Sequence, residues 1–468
     1  MVNNMDIKGT SWQERYQAAE VFTLRCMILD KPGMLARLLT AIGQVGVNTG
    51  NITTVGIKGD RKVRDITIFC ANKERLKATV EAVQGAEGIA VLEVRDDILE
   101  IHRRGAIDVV SRTPIKTLTD LRMVYTPGVA SVCKKVEAEP VSAWDYTGIC
   151  DRVAIVTNGT AVLGLGNIGV LASLPVMEGK AAIYAEFAGV SAFPVLIDSK
   201  DVDTIVKTVV LTASAFGAIQ LEDIAAPACF EIEQKLIEQL DIPVLHDDQH
   251  ATSTVVLAAL INALKQTQKK PAQCSILILG AGAAGYAIAK TLLNFGIGDV
   301  VVYDSTGAVY RGRTEKMNPY KQELADITNK KNQSCPLAEG FRGKDIFIGV
   351  SQPHTVNKDM IASMAKDPIV FPLSNPVGEI STEEAQEAGA AVTADGRGIN
   401  NAQAYPGLFR GALDARAKEI NADMRLAASR KLAELAPQGR LLPDMLDRSV
   451  HQQVAQAVAS CYTKKLNK

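Results

Sequence analysis

The period of the apolar positions changes repeatedly along residues 21–97. Over 21–28, Phe22, Leu24, Cys26 and Ile28 alternate with Thr23, Arg25 and Met27, which predicts a strand. Asp30-Lys31-Pro32-Gly33 is a turn signal. Leu35, Leu38, Leu39 and Ile42 then form one helical stripe. Strand patterns over 51–57 and 63–70 flank Gly59-Asp60, a hairpin signal. Leu76, Val80 and Val83 mark a second helix, and 89–94 a closing strand. The order βαββαβ predicts a ferredoxin-like domain over residues 20–97.

Beyond a basic, irregular stretch (His102, Arg103, Arg104, Arg112), Pro127-Gly128 sets a turn just after Tyr125. Runs at 153–156 and 161–163 read as short strands of a hairpin around Asn158-Gly159. The apolar run 181–184 makes Lys180 the entry to a buried strand. Such a lysine is either a snorkelling end or a base kept from water. Gly164 to Gly169 match G-x-G-x-x-G by letter but lack the strand and the acid of a dinucleotide site.

The strongest local signal is a βαβ unit: a strand at 218–221, a helix at 230–240 and a strand at 242–245. Glu222-Asp223 and Asp247-Asp248 follow the two strands, on the sheet edge where α/β proteins place ligands. So many carboxylates repel one another unless a cation sits among them. Oxygen-only donors suit Mg²⁺ or Mn²⁺. Helix capping by Asp223 or Asp248 accounts for one acid per site, not for doublets.

An apolar run at 271–279 leads into Gly280-Ala281-Gly282-Ala283-Ala284-Gly285. A helix pattern at 286–295 and a strand at 300–303 ending in Asp304 follow. Strand, glycines, helix, strand and acid together make a Rossmann fingerprint. Asp304 lies 22 residues after Gly282 and would repel a 2′-phosphate, which favours NAD; Arg311 and Arg313 keep NADP open. Further strands at 345–350, 369–373 and 391–393 end in polar loops carrying Ser374-Asn375-Pro376 and then Asn400-Asn401. Helices are expected over 415–435 and 449–459. The chain reads as α/β: a domain at 98–265 bearing the acids, a Rossmann domain at 266–430, and C-terminal helices at 431–468 packing back on the core.

Charge changes the picture by exclusion. The 51 Lys and Arg against 52 Asp and Glu argue against a nucleic-acid partner. The eight cysteines form no CxxC pair, so they read as reduced thiols. No secretory signal pattern or apolar run of about 20 residues occurs, so no membrane association and a cytoplasmic location are expected.

Residues 20–97 resemble an ACT domain in element order and in the Asp30-Lys31-Pro32-Gly33 loop. This implies a small-metabolite effector and side-by-side pairing. Residues from about 110 to 460 resemble the malic enzyme family in its short bacterial form. The matching pieces are Tyr125-Thr126-Pro127-Gly128-Val129-Ala130, Asn158 to Lys180, Leu221-Glu222-Asp223, His246 to His250, the Rossmann glycines, Ser374-Asn375-Pro376 and Asn400-Asn401. The resemblance implies oxidative decarboxylation of (S)-malate to pyruvate and CO₂ by a homodimer or higher oligomer using NAD or NADP and Mg²⁺ or Mn²⁺. It makes Tyr125 the general acid, Lys180 the general base, and Glu222, Asp223 and Asp248 the metal ligands. Asp247 supports the third ligand, and Asn375, Asn400 and Asn401 lie near substrate and nicotinamide. Two positions depart from the family pattern: Ala161 replaces a substrate-binding arginine of longer members, and Ala251 replaces a glycine. The rival readings are a malolactic enzyme, a metal-free amino-acid dehydrogenase and a non-catalytic sensor.

Overall fold

The structure is a computed structural model that describes residues 20–162 and 164–466. It divides into two compact units that meet in sequence at Ala106 and Ile107.

In the first unit, β1 (Glu20–Leu29), α1 (Met34–Gln44), β2 (Asn48–Lys58), β3 (Arg61–Cys70), α2 (Lys73–Gln84) and β4 (Ile89–Asp96) follow one another. The antiparallel sheet has the order β2-β3-β1-β4. Phe22, Leu24, Cys26 and Ile28 bury one face of β1 against Leu38, Ile42 and Val83 of the helices. The opposite face carries charge: Asp65 accepts from Arg25 at 2.8 Å and from Arg95 at 2.9 Å. Gly33, in the left-handed region at φ 86°, starts α1 without a side-chain cap.

The second unit opens with α3 (Leu118–Val124) and α4 (Val129–Ala138), neither of which has a buried residue. Leu118, Met123, Val124 and Tyr125 are exposed there, as are Val109 and Val110 before them. Then come β5 (Arg152–Thr157), α5 (Val170–Ala188), β6 (Ser191–Leu196), β7 (Ala218–Leu221), α6 (Ala228–Gln239), β8 (Val244–His246) and α7 (Asp247–Gln266). The sheet is parallel throughout, in the order β6-β5-β7-β8.

Two local expectations fail here. Residues 161–162 form no hairpin strand with 153–156, and Leu163 lies outside the described residues; β5 pairs instead with β6 and β7. Lys180 enters no strand but sits inside the 19-residue helix α5. That helix packs on several sides, so its apolar positions show no 3.6 periodicity, and 181–184 mimics a strand.

The second sheet holds β9 (Ser275–Leu279), β10 (Asp299–Asp304), β11 (Gly307–Ala308), β12 (Ile346–Gly349), β13 (Ile369–Pro372) and β14 (Val392–Thr393), with α8 (Ala283–Phe295) following β9. Its order is β11-β10-β9-β12-β13-β14, with only β11 antiparallel. Strand order reverses beside β9, which places the ligand crevice at its C-terminal end. Three helices close the chain: α9 (Tyr405–Asp414), α10 (Ala422–Leu435) and α11 (Arg448–Leu466). The helix expected over 415–435 starts only at Ala422, capped by Asn421, and α9 was not expected at all. One core runs from Val153–Val156 of the first sheet through Val255–Leu260 of α7 to Ile276 and Ile348 of the second.

Candidate active site

The acids stand where their strands stop. Glu222 and Asp223 follow β7, and Asp247 and Asp248 follow β8, its hydrogen-bonded parallel neighbour. One carboxylate oxygen from each of Glu222, Asp223 and Asp248 lies within 4.8 Å of the others. The Asp223 main-chain N–H donates to Asp248 Oδ2 at 3.0 Å. Asp223 holds φ 53°, a conformation non-glycine residues seldom adopt and one often stored at functional sites.

Lys180 reaches this cluster from α5. Its Nζ donates to Asp247 Oδ2 at 2.6 Å and lies 3.0 Å from Glu222 Oε2. It also stands 4.6 Å from the centre of the Tyr405 ring. Burial works against the ammonium, but Asp247 and Glu222 outweigh it and hold its pKa well above the ordinary lysine value. Asn401 Nδ2 donates to the same Asp247 oxygen at 2.5 Å, while Asp247 Oδ1 is buried with no hydrogen-bond partner among the described residues. Behind Glu222, Gln220 Nε2 donates to Glu222 Oε2 at 2.8 Å, and Gln220 Oε1 accepts from the Tyr184 hydroxyl. Glu233 of α6 fixes the other doublet: it accepts from the His246 main-chain N–H at 2.7 Å and from Gln249 Nε2 at 3.1 Å.

The second sheet supplies the opposite wall. A cavity of about 330 Å³ is lined by Lys180, Glu222, Asp223 and Asp248 on one side and Ala284, Asn375, Asn400 and Asn401 on the other. Asn400 uses its side chain to cap a turn, accepting from the Ala402 N–H at 2.9 Å. At the glycine fingerprint, a Cβ on Gly285 would lie 1.8 Å from the Gly280 carbonyl oxygen, so α8 packs this close only with glycine. Gly282 faces open space and caps α8 with no side chain, leaving room for a pyrophosphate at the helix start. The pieces sequence reading placed at Gly280, Ala281, Gly282, Ala283, Ala284 and Gly285 therefore form the expected strand-loop-helix turn.

Asp304 ends β10 as expected, but its Oδ2 accepts from both Arg313 and Lys321 at 2.6 Å. Its charge is compensated, so simple repulsion of a 2′-phosphate no longer follows from it. Arg311 points elsewhere and donates to the Asp326 carbonyl. Tyr125 is 67% exposed at the end of α3 and does not line the cavity. Ala161 does line it, and Lys180 is the cavity's one cationic lining residue among those described. Sequence reading missed Gln220, Glu233, Tyr184 and Tyr405; each is an ordinary residue within a strand or helix and gives no motif signal.

A glycine-fingerprint sheet facing a lysine–carboxylate cluster on a second parallel sheet defines a two-domain, dinucleotide-dependent α/β oxidoreductase. The family model "Malic enzyme, N-terminal domain" matches residues 104–237, and "Malic enzyme, NAD binding domain" matches 250–399. The chain belongs to the malic enzyme family. It is 43% identical over 451 residues to an NAD-dependent malic enzyme of Geobacillus stearothermophilus, covering 94% of each chain. It is 46% identical over 380 residues to a bifunctional malic/malolactic enzyme of Bacillus subtilis, covering 79% of this chain and 93% of that one. The crystal structure of an NAD-dependent malic enzyme from Thermotoga maritima superposes with a TM-score of 0.76 at 41% identity, covering 78% of this chain and 99% of the other.

Proposed function

We infer that this protein catalyses the oxidative decarboxylation of (S)-malate to pyruvate and CO₂ with reduction of NAD. One observation carries the reading: three carboxylates able to share a cation line the same cavity as Ala284 and Asn375 of the dinucleotide-binding half. The all-oxygen donor set of Glu222, Asp223 and Asp248 fits Mg²⁺ or Mn²⁺. A divalent ion held by Glu222, Asp223 and Asp248 would supply Lewis acidity at the C2 oxygen of malate, and the coenzyme would supply the hydride acceptor. Lys180 takes the C2 hydroxyl proton after passing one of its own to the Asp247 carboxylate, to which it is hydrogen-bonded at 2.6 Å. Asn401 steadies Asp247, and Tyr405 covers the lysine from water. Tyr125 gives a proton to C3 after CO₂ departs. General acids and bases of this kind contribute typically about 10²–10⁴-fold each.

Tyr125 acts, in this reading, from a second copy of the chain. Its segment exposes an apolar surface, while the described lining residues of the cavity in its own chain include no acid beyond the three carboxylates and no cation beyond Lys180 for the second malate carboxylate. An isologous dimer supplies the acid, because each arm then presents its Tyr125 to the other site. Residues 20–97 serve as an ACT-type module for a small-metabolite effector, a reading supported by their element order and the Asp30-Lys31-Pro32-Gly33 loop.

Turnover of malate, followed by nicotinamide absorbance with and without Mn²⁺, tests the activity. Reduced coenzyme should accumulate, and chelation should stop it; lactate without reduced coenzyme would mean a malolactic enzyme instead. Asp248→Asn should lose Mn²⁺ binding in an electron paramagnetic resonance titration, and unchanged affinity would refute its ligand role.

A further inference from the structure

A groove of about 370 Å³ runs along α7 between α8 and α10, apart from the coenzyme cavity. Leu257, Phe295 and Leu426 give it an apolar wall, and His250, Thr291 and Arg425 a polar end. Arg425 is partly buried, and burial depresses its pKa against the attraction of Glu233 and Glu419. Its only side-chain hydrogen bond among the described residues runs from Nη1 to the Ile420 carbonyl at 2.7 Å. A guanidinium carries five N–H groups, so most of this one's donors have no protein acceptor. Arg425 also lies in the first turn of α10, where the helix dipole favours negative charge.

The other charges at the groove set its preference. Lys290 is committed, donating to Glu323 at 2.7 Å and to the Tyr286 hydroxyl at 3.0 Å. Asp423 shares the helix end with Arg425 and works against a dianion. The fitting ligand is therefore a monoanion with an apolar body.

The groove has a direct link to the active site. His250 lines it, and His250 Nε2 lies 3.0 Å from Glu233 Oε2. Glu233 in turn holds the His246 main chain, immediately before Asp247 and Asp248. We propose that this groove is a regulatory site for a small apolar monocarboxylate, transmitted through His250 and Glu233 to the acid doublet. The binding claim stands alone; the transmission rests on the malic enzyme reading above.

Isothermal titration of the full chain with benzoate, and separately with inorganic phosphate, tests it. Benzoate should bind saturably, and phosphate about tenfold more weakly or worse. Arg425→Gln should weaken benzoate about tenfold or more, and so should Thr291→Phe, which fills the groove from the opposite helix. Mn²⁺ affinity, read by electron paramagnetic resonance, should shift about twofold or more at saturating benzoate. No saturable benzoate binding, or equal binding in both variants, overturns the site. Phosphate binding as tightly as benzoate overturns the ligand class. An unmoved Mn²⁺ affinity overturns the transmission. Failure of Mn²⁺ to bind at all would count against the metal reading while leaving the benzoate result to judge the groove.

Discussion

At the level of single residues, Asp304 decides less than its position implies. It is an acceptor for two cations before any ribose arrives. Asp304→Asn frees Arg313 and Lys321 from a full negative charge, so these cations become available to a phosphate. The ratio of kcat/KM for NADP over NAD should rise about tenfold, the equivalent of roughly 1.4 kcal/mol. Steady-state kinetics with both coenzymes would show it. Asp65, on the open face of the first sheet, makes a different residue-level prediction. The Arg25 hydrogen bonds and the nearby Arg95 hold its pKa below the ordinary value despite partial burial. The unfolded chain therefore binds more protons than the folded one in acid. Stability from this group is full above the ordinary carboxylate pKa of about 3.9 and is lost as pH falls through the folded value. Asp65→Asn should flatten the acid limb of a stability-against-pH curve measured by denaturant unfolding.

At the level of elements, legibility followed burial geometry. The units read well where strands are short, parallel and buried, because their ends are punctuated by Gly or acids: β7, β8 and β9 all end close to where the pattern stops. Reading failed where a helix is wrapped by protein. The helix α5 carries Pro175, Gly179 and a mixed apolar surround, so Lys180 looked like a strand entry. The short helix α9 carries Pro406 and Gly407 in its first turn, which weakens its helix pattern in the sequence. The residues of the site that carry motifs were visible, and the ones that position them were not. Gln220 reads as any polar residue in a strand and Glu233 as any surface acid of a helix, although the second is buried. Their roles arise from neighbours far away in sequence. The fingerprint turn yields the sharpest element-level expectation. Gly285→Ala forces a methyl group into the Gly280 carbonyl. Overpacking of this kind costs typically about 1–3 kcal/mol, so a lowered melting temperature and weakened NAD binding should appear together. Binding by nicotinamide fluorescence would report the second effect.

At the level of the whole molecule, the arm carrying α3 and α4 matters most. If Tyr125 serves the opposite site, two inactive variants should rescue each other. Mixing Tyr125→Phe with Lys180→Ala in equal amounts, after dissociation and reassociation, places both defects in one site of each mixed dimer and leaves the other intact. Random pairing then restores about one quarter of wild-type turnover. If Tyr125 serves its own site, the mixture stays inactive.

The same arm has a cost for a solitary chain. Val109, Val110, Leu118, Met123 and Val124 lie open on a surface that water disfavours. Specific activity should therefore fall on dilution, and chains held apart for long should precipitate instead of waiting, so the speed of mate-finding after synthesis governs the yield of soluble enzyme.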